Sequence, residues 1–264
     1  MSDSVLLDTD DRGVATVTLN RPDKHNAFDD EVIAALAVAF DEVAADPAAR
    51  AMVLASNGRS FSAGADLGWM KRMAGYSRDE NHADAAALAE MLRRLNEMPV
   101  PTIAAVQGPA YGGAVGLVSC CDLAVGGSRA SFCLSEVRIG LIPATISPYV
   151  IGAIGARAAR RYFLTAEVFD AAAARDLGLL TLATDDETID NSVESLLATL
   201  LDNGPLALRA AKRLVLDYAG RPIDADLIAD SCARIADIRV SPEGQAGLGA
   251  FFDKTPAPWK QNHV

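Results

Sequence analysis

One pattern constrains this chain more than any other: an apolar run, a glycine-bearing turn, then a second apolar run at helical spacing, and it occurs twice. The first instance joins Ala51-Met52-Val53-Leu54-Ala55 to Phe61-Ser62-Ala63-Gly64-Ala65-Asp66 and then to residues 67–73. The second joins Thr102-Ile103-Ala104-Ala105-Val106 to Gly108-Pro109-Ala110-Tyr111-Gly112-Gly113-Ala114 and then to residues 114–121. Nearly unbroken apolar strands belong to sheets covered on both faces, so the repetition predicts a layered α/β core. Glycine lets backbone N–H groups at such turns be approached without an intervening side chain. Open α/β folds place ligands at strand C-terminal ends. Two N–H groups from separate turns can hold a developing negative charge on a carbonyl oxygen.

Residues 14–19 read as a strand ended by the turn cluster Asn20-Arg21-Pro22-Asp23-Lys24. Residues 28–43 read as a helix with Val32, Leu36, Ala39, Phe40 and Val43 on one face. An alanine-rich helix over 80–98 is stopped by Pro99 and Pro101, and 122–125 and 131–134 read as short strands. Beyond Pro143 the pattern turns helical, over 147–154, 156–164, 171–176, 187–201, 206–217, 224–238 and 242–252, with strand signals nearly absent. The expected organisation is an α/β part over 1–200 that carries the site, followed by a helical region over 201–264. Leu227, Cys232, Ile235 and Ile238 are spaced to cover either the core or a second subunit; the pattern alone does not choose.

Several function classes are disfavoured at once. A formal net charge of -11, from 24 basic and 35 acidic side chains, repels nucleic acid and anionic membrane at long range. It leaves room for a local basic pocket. Apolar stretches are broken well short of a membrane span, and Met1-Ser2-Asp3-Ser4 lacks the basic-then-apolar start of a signal peptide, so a cytoplasmic protein is expected. Cys120, Cys121, Cys133 and Cys232 have no paired spacing and read as buried free thiols in a reducing compartment. His25, His82 and His263 are scattered, so no metal site is expected. The first glycine segment lacks Gly-x-Gly-x-x-Gly, no Gly-Lys-Ser or Gly-Lys-Thr occurs, and there is no Gly-x-Ser-x-Gly elbow.

Glu136 is the acid–base candidate. It lies between apolar 131–134 and the turned apolar segment 139–143, where partial desolvation suits proton transfer near neutrality. The competing reading pairs it with Arg138 as a structural ion pair. Asp66 is expected to cap the helix starting at Leu67, and Asp122 to act as a structural anchor.

With these residues in view, the chain resembles the enoyl-CoA hydratase/isomerase (crotonase) superfamily over essentially its whole length. The resemblance is carried by Asn20-Arg21-Pro22 with Asn26-Ala27, Ser62-Ala63-Gly64-Ala65-Asp66-Leu67, Gly108 through Gly113, and Ser135-Glu136-Val137-Arg138-Ile139-Gly140-Leu141-Ile142-Pro143. It is also carried by Ala171-Ala172, Ala174 and Asp176-Leu177-Gly178-Leu179. It implies a spiral of β-β-α units with a C-terminal helical region that makes trimers, often paired into hexamers, and helps complete the coenzyme A site. The N–H groups of Ala65 and Gly113 would bind the thioester oxygen of an acyl-CoA, with Glu136 as acid and base. Lys24, His25, Ala27 and Ala63 would border the coenzyme A groove, and Lys254 would offer a basic group to it, in some members across the subunit boundary. No tightly bound cofactor is implied; coenzyme A arrives as part of the substrate. Leu67, Trp69, Met70 and Met73 would give the acyl pocket bulk, with Tyr111 beside them. Arg72 or Arg138 would meet a second carboxylate.

One departure stands out. Well-studied hydratases carry a second glutamate three residues after the second oxyanion donor, where this chain has Gly116. The resemblance implies hydration of a 2-enoyl-CoA. A lone base also suits an isomerase moving a 3,4 double bond to 2,3, and a site without enough proton-moving groups suits an idle acyl-CoA binder. The stretch from Leu134 to Tyr149 is most similar to bacterial hydratases of branched or glutaconyl-type esters, as in fatty acid and leucine catabolism, with 3-methylglutaconyl-CoA the implied candidate. Tyr111 or Tyr149 would then assist Glu136.

Overall fold

The computed structural model describes residues 3–260; Met1, Ser2 and His263, used above, lie outside them. β1 (Val5–Thr9) and β2 (Val14–Leu19) form an antiparallel hairpin. Asp10 closes it by accepting from the N–H groups of Arg12 and Val14 at 2.9 and 3.0 Å. β1 was not foreseen: it is a half-exposed edge strand whose polar residues hide the alternation. A 3-10 turn, Pro22–Lys24, leads to α1 (Asp30–Ala45), capped by Asp29 accepting from Val32 N–H. β3 (Ala51–Ser56) and α2 (Leu67–Met73) follow, then α3 (Arg78–Asn96), whose start is a reciprocal capping box of Ser77 and Glu80.

β4 (Thr102–Val106), β5 (Ala110–Tyr111) and α4 (Gly113–Cys120) come next, then β6 (Leu123–Gly126), β7 (Ser131–Cys133) and a 3-10 turn, Glu136–Ile139. α5 (Ser147–Thr165) contains a non-helical Gly155 (φ 75°), the break the sequence predicts between 154 and 156. β8 (Phe169–Asp170), α6 (Ala171–Leu177), β9 (Leu182–Ala183) and α7 (Ile189–Leu201) complete the α/β part. α8 (Pro205–Tyr218), α9 (Ala225–Val240) and α10 (Pro242–Asp253) follow. Strands do therefore continue past Pro143. Two residues are too few to show a period.

The large sheet runs β1-β2-β3-β4-β6-β9, parallel after the first pair, and the small one β5-β7-β8. What the sequence shows as strand, turn, helix is thus strand of the large sheet, strand of the small sheet, helix: β4-β5-α4, then β6-β7-α5. A parallel bridge from Ser62 to Ala110 brings the first glycine segment to the edge of the small sheet. The main core packs α1, α3, α4 and α5 with the sheets around Phe28, Phe40, Phe61 and Phe132. On the opposite face of the large sheet, Ile189, Val193, Leu197 and Leu201 of α7 cover Val14, Ala51, Val53, Ile103 and Val125.

The last three helices differ. α8 and α10 have no buried residue and α9 only Leu227. Lys212 fastens α8 to the core, donating to Val100 O at 3.1 Å and to Asp122 at 2.7 Å. Asp122 also accepts from the N–H and hydroxyl of Thr102, the anchoring role expected of it. All four cysteines are free, but Cys232 is exposed, so the buried-thiol reading fails there. Among the described residues no helix is long and apolar enough to cross a membrane.

Candidate active site

The two glycine segments are held together by backbone pairing. Ser62 N–H donates to Pro109 O at 3.1 Å, and Tyr111 N–H to Ser62 O at 3.0 Å. At Gly64 φ is +86°, and a Cβ there would lie 2.7 Å from Tyr111 O. Both conformation and space demand glycine.

Phe28 sets the direction of Ala65. Its N–H donates to Gly64 O and its carbonyl accepts from Asp66 N–H, both at 2.9 Å. A parallel bridge of this kind uses the peptides flanking Ala65 and turns Ala65 N–H the other way, without an acceptor among the described residues. The approach is fixed by Asn26, a buried residue in the left-handed region (φ 52°). Its side chain accepts from Arg21 N–H and donates to Asn57 O and Ser60 O at 2.8 to 2.9 Å. Gly112 N–H is taken by Cys133 O at 2.8 Å, leaving Gly113 as the first residue of α4 with its N–H unclaimed. A Cβ on Gly113 would sit 2.5 Å from Phe28 Cζ. One phenylalanine therefore brackets the first donor with its backbone and supports the second with its ring.

Glu136 opens the 3-10 turn after β7. Its Oε1 is 3.3 Å from the point where Gly112 would carry a Cβ, so the carboxylate lies over the peptide leading into Gly113. Its Oε2 is buried and has no hydrogen-bond partner. Burial raises its pKa above the ordinary carboxylate value, against the pull of its own backbone N–H. There is no ion pair with Arg138, whose guanidinium donates to Ala166 O at 2.5 Å instead. A carboxylate with one oxygen unpartnered, packed against the turn into Gly113, can move a proton next to an oxyanion held by backbone N–H groups.

At Gly116 a Cβ would lie 2.3 Å from Ile146 Cγ2 and 3.6 Å from Leu92 Cδ2. Ile146 and Leu92 are both buried. The position that carries a second glutamate in the resembling hydratases is filled by an apolar side chain.

The other expected residues divide. Asp66 caps α2 through Gly68 and Trp69 N–H; burial pushes its carboxyl up, but these bonds and the cations Lys24 and Arg21 hold it below the ordinary value. Lys24 is exposed beside it, Ala63 is exposed with its N–H donated to His25 O at 2.9 Å, and Ala27 is buried. The His25 ring accepts at Nε2 from Arg59 (3.1 Å), which leaves Nδ1–H to face Ser60 Oγ (3.0 Å). Trp69 is buried with Nε1 bound to Asp84 at 3.0 Å; Met70 and Met73 are half-buried, while Leu67 is exposed. Arg72 pairs with Asp30. The Tyr111 hydroxyl meets Ser131 Oγ at 3.3 Å. Burial raises the Tyr149 phenol, followed by the nearby Cys120 and Glu97. Lys254 ends α10, which packs on α8 and α9, and its ammonium bonds to none of these groups. Among the described residues no group of three or more His, Cys, Asp or Glu side chains is placed to hold a metal. Phe28 and Ile146 are the residues the sequence reading missed; their neighbours are remote in the chain, and no local signal marks them.

A family profile described as enoyl-CoA hydratase/isomerase matches residues 9–262. An enoyl-CoA hydratase from Shewanella pealeana superposes with a TM-score of 0.94 at 44% identity, covering 97% of this chain and 96% of that one. The enoyl-CoA hydratase AKT6-1 of Alternaria alternata is 32% identical over 90% of this chain and 78% of its own length. The 1,2-epoxyphenylacetyl-CoA isomerase of Escherichia coli is 29% identical over 94% of this chain and 95% of its own length. The chain belongs to the enoyl-CoA hydratase/isomerase family, within the crotonase superfamily, and has its spiral α/β fold.

Proposed function

We propose that the protein adds water across the 2,3 double bond of an enoyl-CoA thioester, with Glu136 as both acid and base. The observation that carries this reading is the Glu136 carboxylate, its Oε2 buried and unpartnered and its Oε1 against Gly112, the residue before Gly113. The N–H groups of Ala65 and Gly113 donate to the thioester oxygen. Fixed donors favour the enolate-like oxyanion over the ground-state carbonyl, so the gain falls in the transition state. Glu136 takes a proton from water as its oxygen bonds to C3, and returns a proton to C2. Lys24, His25, Ala27 and Ala63 are assigned to the coenzyme A groove, joined by Lys254 from a neighbouring copy. Trp69, Met70, Met73 and Tyr111 are assigned to the acyl side, and 3-methylglutaconyl-CoA is the proposed branched substrate. A cytoplasmic homotrimer or dimer of trimers completes the proposal.

Glu136→Gln keeps the shape and removes the base. Turnover should fall at least about 100-fold with CoA-ester binding retained in calorimetry; near-normal turnover would refute the assignment. The apolar filling at Gly116 favours a second reading, isomerisation, in which Glu136 carries one proton from C2 to C4. Incubation with 2-enoyl- and 3-enoyl-CoA in H₂¹⁸O separates the two. Hydration incorporates the label, and clean bond migration without label promotes the isomerase. Binding without any product indicates an idle acyl-CoA binder.

A further inference from the structure

The turn that carries Glu136 is fastened at one buried carbonyl. Ala166 ends α5 in the left-handed region (φ 51°), strained for a residue with a side chain, and is fully buried. The last carbonyls of a helix have no intrahelical donors, and buried ones need partners. Two donors converge on Ala166 O: the Arg138 guanidinium at 2.5 Å and the Cys133 thiol at 3.3 Å. Arg138 belongs to the same 3-10 turn as Glu136. Cys133, through its own carbonyl, accepts Gly112 N–H at 2.8 Å and so holds the peptide before Gly113. Among the described residues no carboxylate pairs with Arg138; the nearby Glu167 is taken by Arg161 at 2.6 Å.

We propose that Arg138 is a positioning residue: its bond to Ala166 O sets the Glu136 turn against the strand that orients Gly113. The carboxylate is thereby held at a fixed distance from the carbon next to the bound thioester. This rests on the acid–base role given to Glu136 above. It also gives Arg138 a different task from meeting a substrate carboxylate, since the guanidinium is turned onto a protein carbonyl.

The two tasks separate kinetically. Arg138→Met keeps an unbranched side chain and loses the donors. Its kcat should fall about 10- to 100-fold, the scale of a misplaced reacting group, with KM unchanged. The loss should be equal for crotonyl-CoA and 3-methylglutaconyl-CoA. Arg138→Lys, which keeps a cationic donor, should recover part of kcat. A KM rise confined to the dicarboxylic ester with kcat retained overturns the proposal, as does an unchanged kcat for both esters. If the methionine variant does not fold, Arg138→Lys carries the same comparison against the parent. Lowered kcat at constant KM supports the proposal and unchanged kcat overturns it. If the unmodified enzyme turns over neither ester, the proposed function falls instead. The latch is then read by hydrogen–deuterium exchange over residues 134–141, which should quicken in a folded Arg138 variant; unchanged exchange overturns it.

Discussion

Glu136 meets two opposed demands. Its carboxyl is held above the ordinary glutamate value of 4.5 by burial, so the folded chain favours the protonated form more than the unfolded chain does. The native state then binds more protons between 4.5 and the folded value, and stability falls as pH rises through that window. Turnover runs the other way, because abstraction from water needs the ionised form. The acid limb of kcat/KM, which reports the free enzyme, should therefore lie above the ordinary glutamate value. Glu136→Gln, inactive as a base, should unfold at a higher temperature than the parent at neutral pH. The difference should shrink below the unfolded carboxyl value. Thermal unfolding of both proteins from roughly pH 4 to 8 checks the sign; a glutamine variant less stable at neutral pH would refute the desolvated carboxylate.

The contact between α4 and α5 decides how much chemistry the site can house. Gly116 faces Ile146 so closely that one added methyl overlaps it. Gly116→Ala should cost about 1–3 kcal/mol, the range for overpacked cores. Trimming the opposing side chain with Ile146→Ala should recover much of that loss in a double-mutant cycle. Additive losses would mean the two elements do not meet as described. The same contact shows what a sequence can and cannot reveal. α2 and β4 have the bounds their patterns predict, because a capping aspartate and a covered apolar run are local signals. Glu136 could be singled out from its apolar flanks for the same reason, whereas Ala65 and Gly113 were named through the family resemblance. β5, β8 and β9 were not legible, since two residues carry no period and exist only through their partners. Nor were Phe28 and Ile146, whose roles depend on glycines brought to them by the winding of the sheets.

The whole molecule leaves its C-terminal helices unfinished in one copy. Val215, Val240, Phe251 and Phe252 are 68 to 77% exposed. Between α8 and α9 lies a groove of about 610 Å³ whose lining includes Ala210, Leu214, Ile235 and Ile238. Lys212 ties α8 to Asp122 by charge, so the helices are held to the core at a polar point rather than by a buried apolar face. Apolar area of this extent in water is unfavourable at about 25 cal/mol per Å², and interfaces between permanent subunits are where such surfaces are covered. The trimer or dimer of trimers proposed above, built of 27.7 kDa chains, would cover this area. Light scattering giving a 27.7 kDa monomer at micromolar concentration would contradict it. Phe251→Asp with Phe252→Asp should dissociate the particle if α10 lies in the contact. Because Lys254 immediately follows that helix and is proposed to serve the coenzyme A site of a neighbouring copy, dissociation should raise KM for CoA esters. An assembled double variant would move the contact elsewhere. Dissociation with KM unchanged would instead remove Lys254 from the coenzyme A site while leaving the assembly itself intact as an inference.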